Sequence, residues 1–113
     1  MKYYMNRSFY ITITSIFIFF FLFSCESNQE RQINNRGVDY FDKGQYDLAI
    51  ADCNKALEIN PKCAYAYYNR GIAYYFKKEY DKSWENVKKA QELGYKIQSK
   101  FLEDLSKASG RER

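Results

Sequence analysis

The chain has no histidine, and only one proline and three cysteines among 113 residues. Without histidine it lacks the side chain that most often titrates near neutral pH and the commonest zinc ligand. There is no glycine-rich phosphate loop, and no pair of carboxylates flanked by a nucleophile. Asp39, Asp42, Asp47, Asp52 and Asp81 are scattered over faces expected to be solvated. Asp47 and Asp81 stand near helix starts, where an acid suits the helix dipole. The expectation is a non-enzymatic chain with no catalytic residue, no cofactor and no metal. A strong excess of one charge sign is also missing. Lys and Arg number 18 against 14 Asp and Glu, a net charge of +4 with the two signs interspersed. A nucleic-acid binder would need a clustered basic face.

Only one long apolar run occurs. Phe9–Phe23 carries no charge, is rich in Phe and Ile, and is preceded by Lys2 and Arg7. A helix crossing a bilayer needs about 20 apolar residues, more than this run supplies. A basic start, a short apolar run and a small residue at its end describe a secretory signal peptide over residues 1–24. An uncleaved membrane helix is the alternative. Removing residues 1–24 leaves 16 basic and 14 acidic side chains and a net charge of +2. Cys53 is expected inside a helix and Cys63 in the turn after it. Ten residues of mostly helical rise separate them by about 12–15 Å. A disulfide needs Cα atoms within about 7 Å, so no bridge between them is expected.

What the chain does contain is a repeat. Shifting the sequence so that Glu30 falls on Ala64 superposes eleven identical pairs, among them Gly37/Gly71, Tyr40/Tyr74, Tyr46/Tyr80, Asp47/Asp81 and Ala56/Ala90. Residues 30–63 form the first copy and 64–97 the second. Residues 25–30 read as Cys25 and a short polar tether. Helical periodicity then runs through Ile33, Gly37, Tyr40 and Phe41 to a break at Gly44. A second helix is expected over Tyr46–Ile59, stopped by Asn60-Pro61. A third runs from about Ala64 to Phe76, and a fourth from Tyr80 to Leu93, closed by Gly94. Residues 98–108 are a last amphipathic helix, and 109–113 a frayed tail.

This pattern resembles the tetratricopeptide repeat (TPR), a helix–turn–helix of the same period. Copy one reads Ile33-x2-Arg36-Gly37-x2-Tyr40, then Ala49-x3-Cys53, then Pro61. Copy two reads Tyr67-x2-Arg70-Gly71-x2-Tyr74, then Ser83-x3-Val87, with Tyr95 at the proline position. Arg36 and Arg70 depart from the family's leucine. The resemblance implies an all-α fold, a short right-handed solenoid of two TPR units with residues 98–108 as a capping helix. It implies that Gly37 faces Ala49, and Gly71 faces Ser83, where paired helices cross closely. Tyr40 and Tyr74 would fill the space beyond, and Ala56 and Ala90 would lie against the following helix.

The resemblance also implies a groove lined by the first helix of each unit. In copy one its residues would be Asn34, Asn35, Val38 and Phe41, with Arg31 and Asp42. In copy two they would be Tyr65, Tyr68, Asn69, Ile72 and Tyr75, with Phe76. The second set is rich in aromatic rings, which suit a peptide or helix anchor because they give large contact area at small entropic cost. Packing beneath the capping helix or against a second copy, as a homodimer, is the rival reading. The family's mode of gripping a terminal carboxylate is not expected, because Asn34 and Val38 replace its Lys and Asn and no third unit follows.

Leu22-Phe23-Ser24-Cys25 resembles the lipobox of bacterial lipoproteins. That resemblance implies lipid on Cys25, palmitate-type acyl chains, cleavage before it, and anchoring in the bacterial envelope. Glu26 is not the Asp that marks inner-membrane retention, which points to the outer membrane. The functional expectation is a lipid-anchored module that binds a protein or peptide, not nucleic acid. Self-association, or service as an accessory subunit, is the alternative.

Overall fold

The computed structural model describes residues 27–111. Among them are five helices and no strand: α1 Ser27–Asp42, α2 Tyr46–Ile59, α3 Ala64–Phe76, α4 Tyr80–Glu92 and α5 Ser99–Ser109. The described chain is therefore all-α, as the repeat pattern implied. The apolar run and Cys25 lie outside the described residues, as do the last two residues of the tail. One element begins earlier than expected. The polar segment read as a tether to Glu30 is helical from Ser27. It holds no glycine or proline, and Gln and Glu are good helix formers, so the polar segment can continue α1 toward its N-terminus.

The two intra-unit turns occupy the same register. Gly44 lies at φ 68°, and at the equivalent position of the second unit Lys78 adopts φ 63°. A side chain in the left-handed region costs about 1–2 kcal/mol, so the second unit keeps the turn with a strained lysine where the first has glycine. Between the units, Asn60 leaves helical geometry at φ −135°, ψ 96° just before Pro61. Its side-chain oxygen accepts a hydrogen bond from the Lys62 amide at 3.1 Å, which pins the turn into α3.

α1 packs on α2, and α3 packs on α4 most extensively of all. α3 also packs on both α1 and α2, while α5 closes over α4. This stacking is that of a helical solenoid. The core has two parts. Ile33, Cys53, Ala56, Cys63 and Ala66 fill the first, between the units. Val87, Ala90, Ile97 and Leu105 form the second, ringed by Tyr67, Tyr68, Tyr75, Trp84, Phe101 and Leu102. In repeat register Leu105 stands where Gly71 does, one period further along. α5 thus takes the place of a third unit's first helix. Among the described residues no second helix crosses it, and a fully buried leucine fills the space instead.

The crossings differ between units. A methyl group on Gly71 would lie 3.2 Å from Val87 Cγ2 and 3.4 Å from the Ser83 carbonyl oxygen. The Ser83 hydroxyl donates to the Gly71 carbonyl at 2.7 Å, tying the helices together. A methyl group on Gly37 would meet only Phe41 Cε2, at 3.9 Å and on its own helix. The expected close approach of Gly37 to Ala49 does not occur. Ala49 is buried but carries no hydroxyl to draw the helices together. Cys53 is a free, buried thiol, so no bridge joins it to Cys63. Burial pushes its pKa up to about 12, with nearby Arg70 lowering it and Asp52 raising it by smaller amounts.

Candidate protein-interaction groove

Two contacts bring the groove faces of α1 and α3 side by side. The Tyr65 hydroxyl donates to Asn34 Oδ1 at 2.7 Å. Two to three helical turns along, the Phe41 and Phe76 rings sit 5.7 Å apart. Helical spacing places Val38 between the α1 contacts, and Asn69 and Ile72 between those on α3. Val38 is 52% exposed and Phe76 49% exposed, while Asn34 and Asn35 are exposed and Tyr65, Asn69, Ile72 and Phe41 half-buried. The strip is thus apolar side chains edged by amides.

Tyr68 and Tyr75 are occupied differently. Tyr68 stacks on Tyr95 at 5.0 Å and meets Phe101 edge-on at 5.9 Å. Tyr75 meets Phe101 at 5.5 Å, Tyr80 at 5.9 Å and Phe76 at 5.5 Å. These two rings turn toward α5 and its approach. Burial, with a smaller contribution from Tyr65, raises the Tyr68 pKa. Tyr95 and Phe101 were not among the residues that sequence pattern assigned to this surface. The amphipathic spacing of 98–108 signalled a cap, but not that its ring would land on the stripe.

The end of the strip near the intra-unit turns is built by an aromatic triad. Tyr46 stacks on Phe76 at 5.4 Å and lies 5.9 Å from Phe41. Beside it Lys77 binds Asp47 at 2.7 Å and Glu79 at 3.1 Å, linking the first turn of α2 to the turn before α4. Those hydrogen bonds, to Asp47 first and then Glu79, raise the Lys77 pKa. Glu79 is lowered in turn by its bonds to Lys82 and Lys77. Exposed pairs of this kind hold geometry more than they add stability.

Paired helices in a fixed register, closed at one end by a single helix, are the geometry expected of a known repeat. Residues 37–78 match the family model of the TPR repeat. The match spans the end of α1, all of α2 and α3, and the turn before α4. No curated protein matches the chain. TPR units are typically non-catalytic modules for protein–protein binding. Among the described residues no group of three His, Cys, Asp or Glu is placed to hold a metal ion. None of the described helices is long and apolar enough to cross a membrane.

Gly71, Ser83 and Ala90, at family positions of the second unit, are buried, as are Ala49 and Ala56 in the first. Tyr40, Tyr74 and Gly37 are half-buried, and Pro61 is exposed. Arg36 and Arg70, the two departures from the TPR pattern, both reach across to their own unit's second helix. Arg36 pairs with Asp52 at 2.6 Å, and Arg70 Nε donates to Asn86 Oδ1 at 2.6 Å. The two pairs have the same separation along the chain and lie in repeat register. That coincidence was present in the sequence and would have found them.

Proposed function

We propose that this chain is an interaction module that holds a segment of another protein along the α1–α3 strip and is tethered to the bacterial envelope by lipid on Cys25. The observation that carries the first half is the exposed apolar line of Val38 and Phe76, edged by Asn34 and Asn35. Apolar anchors supply binding energy by leaving water, and amides on a helix face can pair with the backbone of an extended or helical peptide. Asn69 and Ile72 would complete the floor. Tyr68 and Tyr75 would act mainly as its support, because their rings already pack on Phe101.

The tether rests on the sequence alone, through Leu22-Phe23-Ser24-Cys25 and the apolar run before it. Several acyl chains on one residue give stable anchoring where one chain is marginal. With Glu26 after the lipidated position, the outer membrane is the proposed site rather than the inner. Mass spectrometry of the membrane-extracted protein beside Cys25→Ala tests this. The expected wild-type mass lacks residues 1–24 and carries lipid; an intact, unlipidated chain overturns the tether. The groove is tested by crosslinking pull-down of the full chain against Val38→Ser/Phe76→Ser. A partner retained equally by both proteins counts against the strip. Light scattering on the purified full chain separates a foreign partner from self-association, with a monomer expected.

A further inference from the structure

The two arginines that depart from the repeat pattern line equivalent surface depressions. One, of about 220 Å³, includes Ile33, Arg36, Asp52 and Lys55. The other, of about 450 Å³, includes Tyr67, Arg70, Asn86 and Lys89, the matching positions of the second unit. In the first, Arg36 is neutralised by the Asp52 carboxylate. In the second that acid has become an amide. Arg70 Nε donates to Asn86 Oδ1 at 2.6 Å and its Nη1 donates to Asn54 Oδ1 at 2.8 Å. The guanidinium lies 5.3 Å over the Tyr67 ring. No carboxylate of the described residues forms an ion pair with Arg70.

Lys88 lines the same depression and also has no ion pair with the described residues. Lys89 is paired with Glu92 at 3.7 Å, and Glu85 is the other acid on the wall. Two amide oxygens thus orient a half-buried guanidinium without cancelling its charge. Guanidinium binds carboxylate and phosphate through its planar fork, and charge-assisted bonds of this kind are roughly twice as strong as neutral ones.

We propose that Arg70, oriented by Asn54 and Asn86 and flanked by Lys88, binds a single oxyanion group, either a carboxylate from an acidic side chain or a free phosphate. The site lies at the α3–α4 crossing and uses none of the strip residues, so it stands apart from the proposed groove.

The test replaces the missing charge from within. Asn86→Asp gives the second unit the residue that the first already carries at Asp52, and it occupies the site with an internal carboxylate. Side-chain Nε resonances of the full-length chain in detergent would be followed during titration with inorganic phosphate, and separately with N-acetyl-aspartate amide, at constant ionic strength. Wild type is expected to show a saturable shift of the Arg70 resonance with at least one probe, which identifies the source. Asn86→Asp is expected to weaken that binding at least tenfold, or about 1.4 kcal/mol. Lys88→Gln, an exposed change, is expected to weaken it less while leaving the fold intact. No saturable shift with either probe, or equal binding by wild type and both variants, overturns the proposal.

Discussion

At the α3–α4 crossing a methyl group on Gly71 would press on Val87 and on the Ser83 backbone, at 3.2 and 3.4 Å. At the α1–α2 crossing, the same glycine in the same register leaves no atom of α2 within 4 Å of that position. The difference follows from the facing residue. Ser83 donates to the Gly71 carbonyl, while Ala49 has nothing to donate. It extends into the core, where Cys53 in the first unit is Val87 in the second. Identical residues at matching positions therefore do not give identical packing. The second unit, sandwiched between the first and α5, is the tight one. The first packs on one side only, among the described helices.

Four tests, with six substitutions between them, sharpen or break this contrast. Leu105→Ala should have the largest effect, because it empties a fully buried site under the second unit. A loss of about 2–5 kcal/mol is expected in chemical denaturation. A loss below about 1 kcal/mol would mean that α5 is not part of the same core.

Next comes the matched pair of glycines. Alanine favours a helix interior over glycine by about 1 kcal/mol. Gly37→Ala should therefore stabilise by roughly 0.5–1 kcal/mol. Gly71→Ala carries the same gain, but overpacking costs about 1–3 kcal/mol, leaving it neutral to destabilising by about 2 kcal/mol. Equal effects at both positions would remove the contrast.

Lys78→Gly should stabilise by about 1 kcal/mol by releasing the left-handed lysine. Gly44→Lys should cost a similar amount at the equivalent turn. Thermal melts of the two variants, moving in opposite directions, check this together.

The smallest effect at neutral pH concerns Cys53. Its thiol ionises at about 9.0 when unperturbed and at about 12 in the fold, where burial opposes the charge. Above pH 9 the unfolded chain releases this proton first, so stability is full below that pH and falls as pH rises through 12. Cys53→Val, which copies Val87, should remove that part of the alkaline loss. The check is a denaturation series from pH 8 to about 10, comparing wild type and variant slopes.

Much of this fold was legible in the sequence. The repeat register, the break at Gly44 and the stop at Asn60-Pro61 placed α2 through α4 within a residue or so of their observed ends. These signals are local, set by backbone preferences and by a repeated apolar spacing. The start of α1 was not legible, because polar helix formers read as a tether as readily as a helix. Gly37 was misjudged because a small residue permits close approach but does not compel it. The groove was legible only as a set of positions. Which rings remained available depended on where Phe101 and Tyr95 docked, and periodicity within one helix carries no information about that. The arginine pairs could have been read from Arg36/Asp52 and Arg70/Asn86, since the arginine recurs in register and each is followed at the same spacing by a side-chain oxygen acceptor, Asp in the first unit and Asn in the second.

The central claim is that the α1–α3 strip is the surface that meets another protein. A photo-crosslinking residue at Val38, in the full chain in cells, tests it against the same residue at Ile59. Ile59 is 71% exposed, more than the 52% of Val38, but belongs to α2 rather than to the strip. One discrete heteromeric adduct is predicted at position 38, lost when Phe76→Ser is added, and none at 59. Equal adducts at both positions, or an adduct at 59 alone, would contradict it.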